Sequence, residues 1–259
     1  MITSSANAKV KQVMNLIKKP KARKQTSLYV AEGIRMFQEI PKDHIESVFV
    51  SESFLKKPEH EKLLNGLAYE TVADEVFATM SDTQTPQGIL ALAKQYSYGI
   101  EDLKKGEGPV FLMILENIQD PGNLGTIIRA GEGAGITGIV MDDKTADIYN
   151  PKVIRSTMGS VCRVPFLYTQ DLPGMLRSLK AAGVRLYAAH LDGRNNYEKE
   201  DYTVDTGFLI GNEGNGLTVE IAALADAFVK IPMKGNVESL NAAVAASVLM
   251  FEAARQRRQ

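Results

Sequence analysis

The stretch Gly207–Arg255 reads GFLIGNEGNGLTVEIAALADAFVKIPMKGNVESLNAAVAASVLMFEAAR. Two short apolar runs in it, Gly207–Ile210 and Ala227–Ile231, have the length of buried strands, and each is followed by a polar loop that contains glycine. Glycine permits positive φ and close approach of a ligand. Since ligands of parallel α/β sheets bind beyond the carboxyl ends of the strands, the two loops are predicted to line one crevice.

A long helix is predicted from Ser239 onward. Leu240, Val244, Val248 and Phe251 form an apolar stripe at helical spacing, and alanines occupy much of the remaining surface. A helix that is apolar on several sides is typical of the interior, so the stripe is predicted to be buried. For Ser239 and Asn241 a role as simple helix N-caps stays open beside any chemical role.

Bulk composition limits the function classes. With 259 residues, 44% hydrophobic content and a net charge of −1, the chain suits one or two globular domains and is not a general polybasic nucleic-acid binder. A single cysteine and three scattered histidines predict no disulfide and no metal site. No apolar run approaches the roughly 18 residues of a membrane span, and no signal peptide is evident, so a cytoplasmic protein is expected.

Helix and strand patterns alternate along the whole chain, which indicates an α/β fold with two domains. Residues 1–95 are predicted to form a small α/β domain, residues 96–108 (YSYGIEDLKKGEG) a linker, and residues 109–259 a domain with a mostly parallel sheet. The first domain begins with a cluster of basic residues that precedes the first acidic residue, Glu32. Such asymmetry favours contact with a polyanion, although a solvated helix face explains it equally well.

A third polar stretch, Asn117–Gly135, follows another apolar run and reads NIQDPGNLGTIIRAGEGAG. Asn123 is interpreted as the cap of the helix that follows, with Arg129 directed back toward the strand ends. An ordinary helix arginine on the surface is the alternative for Arg129. The string Gly133–Gly138 matches G-x-G-x-x-G but follows a helix and precedes a strand, which argues against a dinucleotide site.

Together Asn117–Gly135, Ile210–Leu217 (IGNEGNGL) and Ile231–Asn241 (IPMKGNVESLN) resemble the three motifs of the SpoU/TrmH family of RNA ribose 2′-O-methyltransferases, within the SPOUT superfamily. The resemblance covers about residues 110–255. Residues 1–95 resemble the family's common N-terminal RNA-binding domain, most clearly in the string AEGIRMFQE.

The resemblance implies a deep trefoil knot at the C-terminal end, which general rules of chain topology would not predict. It implies the cofactor S-adenosylmethionine, bound by backbone groups of Gly211, Ile231 and Leu240 with Met233 nearby. A homodimer with the site near its interface is also implied.

Five polar residues match those that frame the family's catalytic site: Asn123, Arg129, Glu213, Ser239 and Asn241. Methyl transfer to a ribose 2′-oxygen requires alignment of the reacting atoms and stabilisation of developing negative charge. Arg129 is expected to orient the hydroxyl and stabilise its alkoxide character, because a guanidinium is hardly ever neutral. The proton acceptor is left open between Arg129, a phosphate and water.

RNA contacts are predicted for basic residues of the first domain: Lys9, Lys18, Lys19, Lys21, Arg23, Lys24 and Arg35. Ribosomal RNA is favoured over transfer RNA, because minimal transfer-RNA enzymes of the family tend to lack this domain. A transfer-RNA 2′-O-methyltransferase, or a non-catalytic RNA-binding or ribosome-assembly protein on the same fold, are the alternatives.

Overall fold

In a computed structural model of the chain, residues 1–106, 108–191, 193 and 195–258 are described. The helices in chain order are α1 Ala8–Lys18, α2 Pro20–Thr26, α3 Ile34–Glu39, α4 Glu52–Leu55, α5 Pro58–Glu61, α6 Asp74–Thr79, α7 Pro121–Ala134, α8 Pro151–Thr157, α9 Leu172–Ala181, α10 Val219–Ala222 and α11 Ala242–Arg257. The strands are β1 Leu28–Glu32, β2 Ile45–Ser51, β3 Glu70–Val72, β4 Ile89–Lys94, β5 Phe111–Leu115, β6 Gly138–Asp142, β7 Phe166–Thr169, β8 Arg185–Ala189, β9 Asn195–Asn196, β10 Thr206–Ile210 and β11 Ala227–Lys230. Within the described residues, no helix is both long and apolar enough to cross a bilayer.

The chain divides into two compact units, Met1–Tyr96 with Asp147–Cys162, and Ser97–Ala146 with Arg163–Gln259. Residues 147–162 were expected in the second domain, but they cluster with the first because α8 packs against β1. In the predicted linker, 96–108, Glu107 lies outside the described residues. Leu103, also in that segment, is fully buried, and its side chain lies against Gly138.

The first unit contains a sheet in the order β1-β4-β2-β3 as far as the chain is described. Helix α1 covers part of its core, with Val10, Val13 and Leu16 buried at helical spacing. The Asn7 side chain accepts a hydrogen bond from the Lys9 N–H and so caps the start of this helix. The first unit is thus a small α/β unit, and most of the basic residues predicted to contact RNA lie on or beside α1 and α2.

In the second unit the strand order is β7-β6-β5-β10-β8-β11-β9 among described residues, and every neighbouring pair is parallel. This confirms the predicted α/β class with a mostly parallel sheet. Leu115 at the end of β5 is in register with Ile210 at the end of β10, so the following loops leave the sheet side by side. The loop after β11 leaves the same edge, with β8 between β10 and β11.

Helix α11 begins at Ala242, three residues after the predicted start, and its buried face differs from the predicted stripe. The side chains of Val244 and Phe251 are 48% and 46% exposed. The buried face consists of Ala242, Ala243, Ala246, Leu249, Met250, Ala253 and Ala254. Helix α11 packs on α7, where a Cβ on Gly131 would lie 3.4 Å from the Met250 sulfur, so small residues face the interior because the two helices approach closely.

Candidate active site

The loop after β10, residues 211–218, is closed tightly on itself and is called here the pinched loop. A Cβ on Gly211 would lie 2.1 Å from the Gly216 carbonyl carbon and 2.2 Å from the Leu217 nitrogen. The Gly216 N–H donates to the Asn212 carbonyl oxygen at 2.9 Å, and Gly216 has a φ of 67°. Glycine is therefore required at both ends of the constriction, for space at one and for backbone conformation at the other.

At the tip of the pinched loop, the Glu213 carboxylate reaches the start of α7. Its oxygens accept hydrogen bonds from the N–H groups of Gln119 and Asp120 at 3.3 and 3.1 Å. They also accept one from the Asn123 side-chain amide at 3.0 Å. A carboxylate at a helix N-terminus is favoured because free N–H groups and the helix dipole point toward it.

These contacts change the acidity of Glu213. Partial burial acts to raise the pKa of the Glu213 carboxyl, but the hydrogen bonds donated by Asn123, by the loop backbone and by the α7 N-terminus outweigh it and lower that pKa below its ordinary value. The side chain is therefore an anion at neutral pH and acts as an acceptor for these donors.

Asn241 extends the network to the last helix. Its side-chain amide donates to the Asn123 side-chain oxygen at 2.9 Å, while its own oxygen accepts from the N–H groups of Ala243 and Val244 and caps α11. Glu213, Asn123 and Asn241 thus form one chain of side chains that joins three predicted motifs. Asn241 is the N-cap of α11, one of the two roles that the sequence left open, and its role in the site stays a prediction.

Asn123 is not the cap of α7, contrary to the sequence interpretation. Asp120 is the N-cap, and its carboxylate accepts from the Asn123 N–H at 2.8 Å with Pro121 in the first helical position. The Asp-Pro pair is itself a helix-start signal and could have identified this cap. With the cap filled by Asp120, the Asn123 side chain is available to link Glu213 and Asn241.

A cavity of ≈ 390 Å³ opens between the pinched loop and the loop after β11. Its walls include the four residues predicted to bind cofactor, Gly211, Ile231, Met233 and Leu240, together with Glu213 and Ser239. Sequence reasoning missed His190, Leu191 and Lys230, which line the far side of the cavity. They follow or end strands β8 and β11, and no motif marks them. Such a volume is within the range of small-ligand sites.

Arg129 is not part of the hydrogen-bonded network among the described residues. It is exposed on α7, does not line the cavity, and makes no hydrogen bond or ion pair with another residue that the structure describes. The expected orientation of Arg129 toward the network stays a prediction. A guanidinium in this setting is a free, permanent positive charge on the surface beside the site.

The basic residues predicted to contact RNA lie in the first unit and fall into three groups. Lys18, Lys19, Lys21, Lys24 and Arg35 are exposed. Lys9 is exposed but forms an ion pair with Glu70.

Arg23 is a correction, because its side chain is only 2% exposed. Its guanidinium donates to the carbonyl oxygens of Leu16 and Ile17 at the end of α1, and to the Asp147 carboxylate at 2.8 Å. Arg23 therefore joins the α1 C-terminus to residues 147–162 within this unit. It is structural and unavailable for contact with RNA phosphates.

The cavity is lined by both polar and apolar groups, which is compatible with an adenosine-type cofactor. Gly211 and the adjoining loop backbone offer hydrogen-bonding groups without side chains in the way, and Ile231, Met233 and Leu240 offer apolar contact. A parallel sheet with two polar loops and a cavity at its carboxyl edge defines the class as an α/β protein with a small-ligand site at that edge.

Comparison with known proteins identifies the family within that class. Residues 110–251 match the SpoU rRNA Methylase family, and residues 7–91 match the MRM3-like substrate binding domain. The chain is 31% identical over 253 residues, 96% of its length and 97% of the relative's, to the 23S rRNA (guanosine(2553)-2'-O)-methyltransferase RlmP of Bacillus subtilis. The chain belongs to the SpoU rRNA Methylase family, as the sequence motifs predicted.

Two solved structures resemble the whole chain. The SpoU methyltransferase AviRb from Streptomyces viridochromogenes in complex with AdoMet is 25% identical, with a TM-score of 0.86 over 98% of this chain and 99% of that one. The AdoMet-bound rRNA methyltransferase from Sinorhizobium meliloti is 33% identical, with a TM-score of 0.83 over 98% and 97%. The trefoil knot that the family resemblance implies stays a prediction.

Proposed function

We propose that this protein transfers a methyl group from S-adenosylmethionine to the 2′-hydroxyl of a ribose in ribosomal RNA. The observation that carries the proposal is the Glu213–Asn123–Asn241 network beside a cavity lined by the predicted cofactor residues, in a chain of the SpoU rRNA Methylase family. Membership of a methylase family confirms the predicted enzyme class, an RNA (ribose-2′-O)-methyltransferase. Relatives named as rRNA methyltransferases match nearly the whole chain, which favours ribosomal over transfer RNA as the substrate.

S-adenosylmethionine supplies the electrophilic methyl group on a sulfonium when it is bound. The backbone of Gly211, Ile231 and Leu240 would hold this cofactor, with the Met233 side chain beside it, since all four residues line the cavity. Backbone N–H and carbonyl groups of the pinched loop and of the loop after β11 would provide hydrogen-bond donors and acceptors for the cofactor, so no charged side chain is needed for that purpose.

Arg129 provides the positive charge for the RNA side of the reaction. The ribose 2′-oxygen gains negative character as it attacks, and a fixed guanidinium stabilises that charge. Arg129 does not remove the proton, because a guanidinium is already protonated at neutral pH. The proton leaves to an RNA phosphate or to water.

Asn123, Glu213 and Asn241 link the start of α7, the pinched loop and the start of α11, and Ser239 offers a hydroxyl at the cavity wall. Alignment of the two reacting atoms is worth several orders of magnitude in rate, so small displacements of these loops are expected to be costly. The network therefore contributes to catalysis through orientation.

The first unit is proposed to bind the RNA, in the cytoplasm, through Lys18, Lys19, Lys21, Lys24 and Arg35, with Lys9 as a weaker contributor. These side chains are exposed, and the match of residues 7–91 to a substrate binding domain supports the role. Contacts of lysine and arginine with phosphates set position and give affinity that falls with salt.

A homodimer is proposed through the exposed apolar stripe of α11. Val244 and Phe251 are about half exposed on a helix whose other face is buried. Single apolar side chains are ordinary on a surface, but these two lie about two turns apart on one helix face and together offer an apolar contact to a second copy of the chain. Phe251 lies next to Gly133, one helical turn after Arg129, which supports a position near the site. Phe251→Glu is expected to give a monomer in analytical ultracentrifugation, and a dimer unchanged by it would contradict this assignment.

The experiment that tests the function is nucleoside mass spectrometry of ribosomal and transfer RNA from cells with and without the gene, complemented by wild type or Arg129→Ala. Loss of one 2′-O-methylated nucleoside from ribosomal RNA, restored by wild type and not by Arg129→Ala, is the expected result. Loss of a 2′-O-methylated nucleoside from transfer RNA alone would show that transfer RNA is the substrate. No difference in either pool would favour the non-catalytic RNA binder. Full restoration by Arg129→Ala would remove the role of that residue.

A further inference from the structure

Glu116 is a buried carboxylate outside the set of predicted site residues. It follows the last residue of β5, its side chain is 8% exposed, and it does not line the cavity. Both of its oxygens accept hydrogen bonds from one residue, Thr218, from the N–H at 2.8 Å and from the hydroxyl at 2.7 Å. Because both hydrogen bonds to this buried carboxylate come from Thr218, they restrict the position of Thr218.

Thr218 is the point at which the pinched loop ends. Its hydroxyl oxygen accepts from the Ile221 N–H at 3.3 Å and caps α10. The Glu116 N–H donates to the Ile210 carbonyl oxygen at 2.9 Å, so Glu116 also touches the strand from which the loop departs. One residue therefore fixes both the beginning and the end of the loop.

The next residue, Asn117, holds the same loop at its first turn. The Asn212 side-chain amide donates to the Asn117 carbonyl oxygen at 2.9 Å. Asn117 has a φ of 55°, and its N–H is held by the buried Asp142 carboxylate at 2.9 Å. Left-handed backbone outside glycine costs free energy and persists only where its surroundings enforce it.

Between these two anchors, residues 211–217 form one wall of the cavity. We infer that Glu116 is a positioning residue that sets the affinity for the cofactor by clamping the stem of the pinched loop through Thr218. The inference rests on the proposed function, since it deepens the role of the same cavity. It assigns to Glu116 an effect on cofactor binding without contact with the cofactor.

A carboxylate suits this position because it accepts two charge-assisted hydrogen bonds from Thr218. In Glu116→Gln the charge that strengthens both bonds is lost, and the amide nitrogen can only donate, so the Thr218 hydroxyl keeps its contact only by turning to accept while it also accepts from the Ile221 N–H. The size of the side chain is unchanged. The substitution therefore loosens the clamp without leaving a cavity.

The test is calorimetric titration of the full-length protein with S-adenosylmethionine, together with steady-state methylation of ribosomal RNA. Glu116→Gln is expected to raise the cofactor Kd roughly 10- to 100-fold, as for loss of a hydrogen bond to a charged group. The cofactor KM rises with it, while kcat at saturating cofactor and the RNA Kd stay near wild type. A lower kcat with an unchanged Kd would overturn the inference.

Glu32→Gln is the matched control. Glu32 is also 8% exposed and accepts hydrogen bonds from the Asp82 N–H and the Thr83 hydroxyl, but it lies in the first unit. A loss of thermal stability is expected in both variants, and a loss of cofactor affinity only in Glu116→Gln. Equal losses of affinity would show a general effect of destabilisation and overturn the inference.

Thr218 supplies a second, exposed site for the same test if Glu116→Gln does not fold. Thr218→Val removes the hydroxyl donor, and Thr218→Ser keeps it. Weaker cofactor binding in Thr218→Val with near wild-type binding in Thr218→Ser is expected, and equal binding by both would overturn the clamp. Absence of binding by the wild type would overturn the proposed function and this inference together, whereas unchanged binding by the variants overturns the inference alone.

Discussion

Two loops form opposite walls of the cavity, and they differ in how they are held. The pinched loop, residues 211–218, is tied to neighbouring segments by the side chains of Asn212, Glu213 and Thr218. The loop after β11, residues 232–240, makes no hydrogen bond with any other residue that the structure describes. Both loops nevertheless supply predicted cofactor contacts.

The two walls are therefore expected to contribute to cofactor binding in different ways. The pinched loop is built before the ligand arrives, so its shape costs no ordering free energy on binding. The loop after β11 contains Pro232, which has no N–H, and Gly235, which has the largest backbone freedom. Its order is expected to come from contacts with the cofactor, and that ordering reduces the net affinity.

Substitution of one glycine in each loop gives the largest expected contrast. Gly211→Ala places a methyl group 2.1 Å from the Gly216 backbone, so the constriction cannot close. We expect the cofactor affinity, measured by calorimetric titration, to fall by roughly 10- to 100-fold, because forcing a methyl group into filled space typically costs about 1–3 kcal/mol. Gly235→Ala is the control, since nothing lies within 4 Å of an added Cβ there. Similar losses in both variants would remove the distinction between the walls.

Glu213→Gln tests the tether at the tip of the pinched loop. We expect roughly three- to tenfold weaker cofactor binding, because hydrogen bonds to a partly exposed carboxylate are weaker than buried ones. The hydrogen bonds of the folded state lower the pKa of Glu213 below its ordinary value of ~4.3. The stabilisation from the ionised Glu213 is therefore fully present above that ordinary value and is lost as the pH falls through the lowered pKa. Cofactor affinity of the wild type should therefore be constant from neutral pH to about pH 5.

The fall of cofactor affinity at low pH is the more specific measurement. It should be present in the wild type and absent in Glu213→Gln, since glutamine does not titrate. An identical acid limb in both proteins would show that another group titrates and that the tether does not control affinity.

Charge reversal of Lys18, Lys19 and Lys21 tests whether RNA binding is independent of cofactor binding by the two loops. The three side chains are exposed in the first unit. Their replacement by glutamate is expected to reduce the slope of log affinity for RNA against log salt by about three, one for each lost phosphate contact, and to leave the cofactor Kd unchanged. An unchanged slope, measured by fluorescence anisotropy across a salt series, would exclude these lysines from the RNA contact.

The smallest effect is expected for Gly235→Ala when it is measured alone. It should change the cofactor Kd by less than about twofold, because a modest loss of chain freedom in the unbound loop slightly favours the bound state. A large loss of affinity, or a loss of thermal stability, would indicate that the unliganded loop after β11 already has a fixed structure.

Much of the site was predictable from the chain because its residues lie in three compact motifs at strand ends. Glycines, Asn123, Glu213 and Asn241 were recognised by type and order, and the parallel sheet brings Glu213, Asn123 and Asn241 together. The contacts that hold the loops were not predicted. Thr218 and Glu116 are 102 residues apart, and nothing local to either indicates the other.

Three further features depend on tertiary packing that local patterns do not encode. Arg23 is buried because Asp147, 124 residues away, pairs with it. Apolar residues are spread around helix α11, so periodicity could not tell which face meets α7. The face with small alanine side chains is the buried one because α11 and α7 approach closely. Residues 147–162 join the first unit although both neighbouring strands, β6 and β7, belong to the second.

Hydrogen exchange of the two loops, with and without S-adenosylmethionine, tests the difference between the walls most directly. Without cofactor, the amides of Gly214, Asn215 and Gly216 should exchange slowly, because Asn212 accepts a hydrogen bond from each, whereas the amides of residues 233–240 should exchange at the rate of free chain. Cofactor should slow exchange across residues 233–240 and leave the pinched loop nearly unchanged. Equal exchange of both loops without cofactor, or no response of residues 233–240 to it, would contradict a cavity with one wall built in advance and one ordered by its ligand.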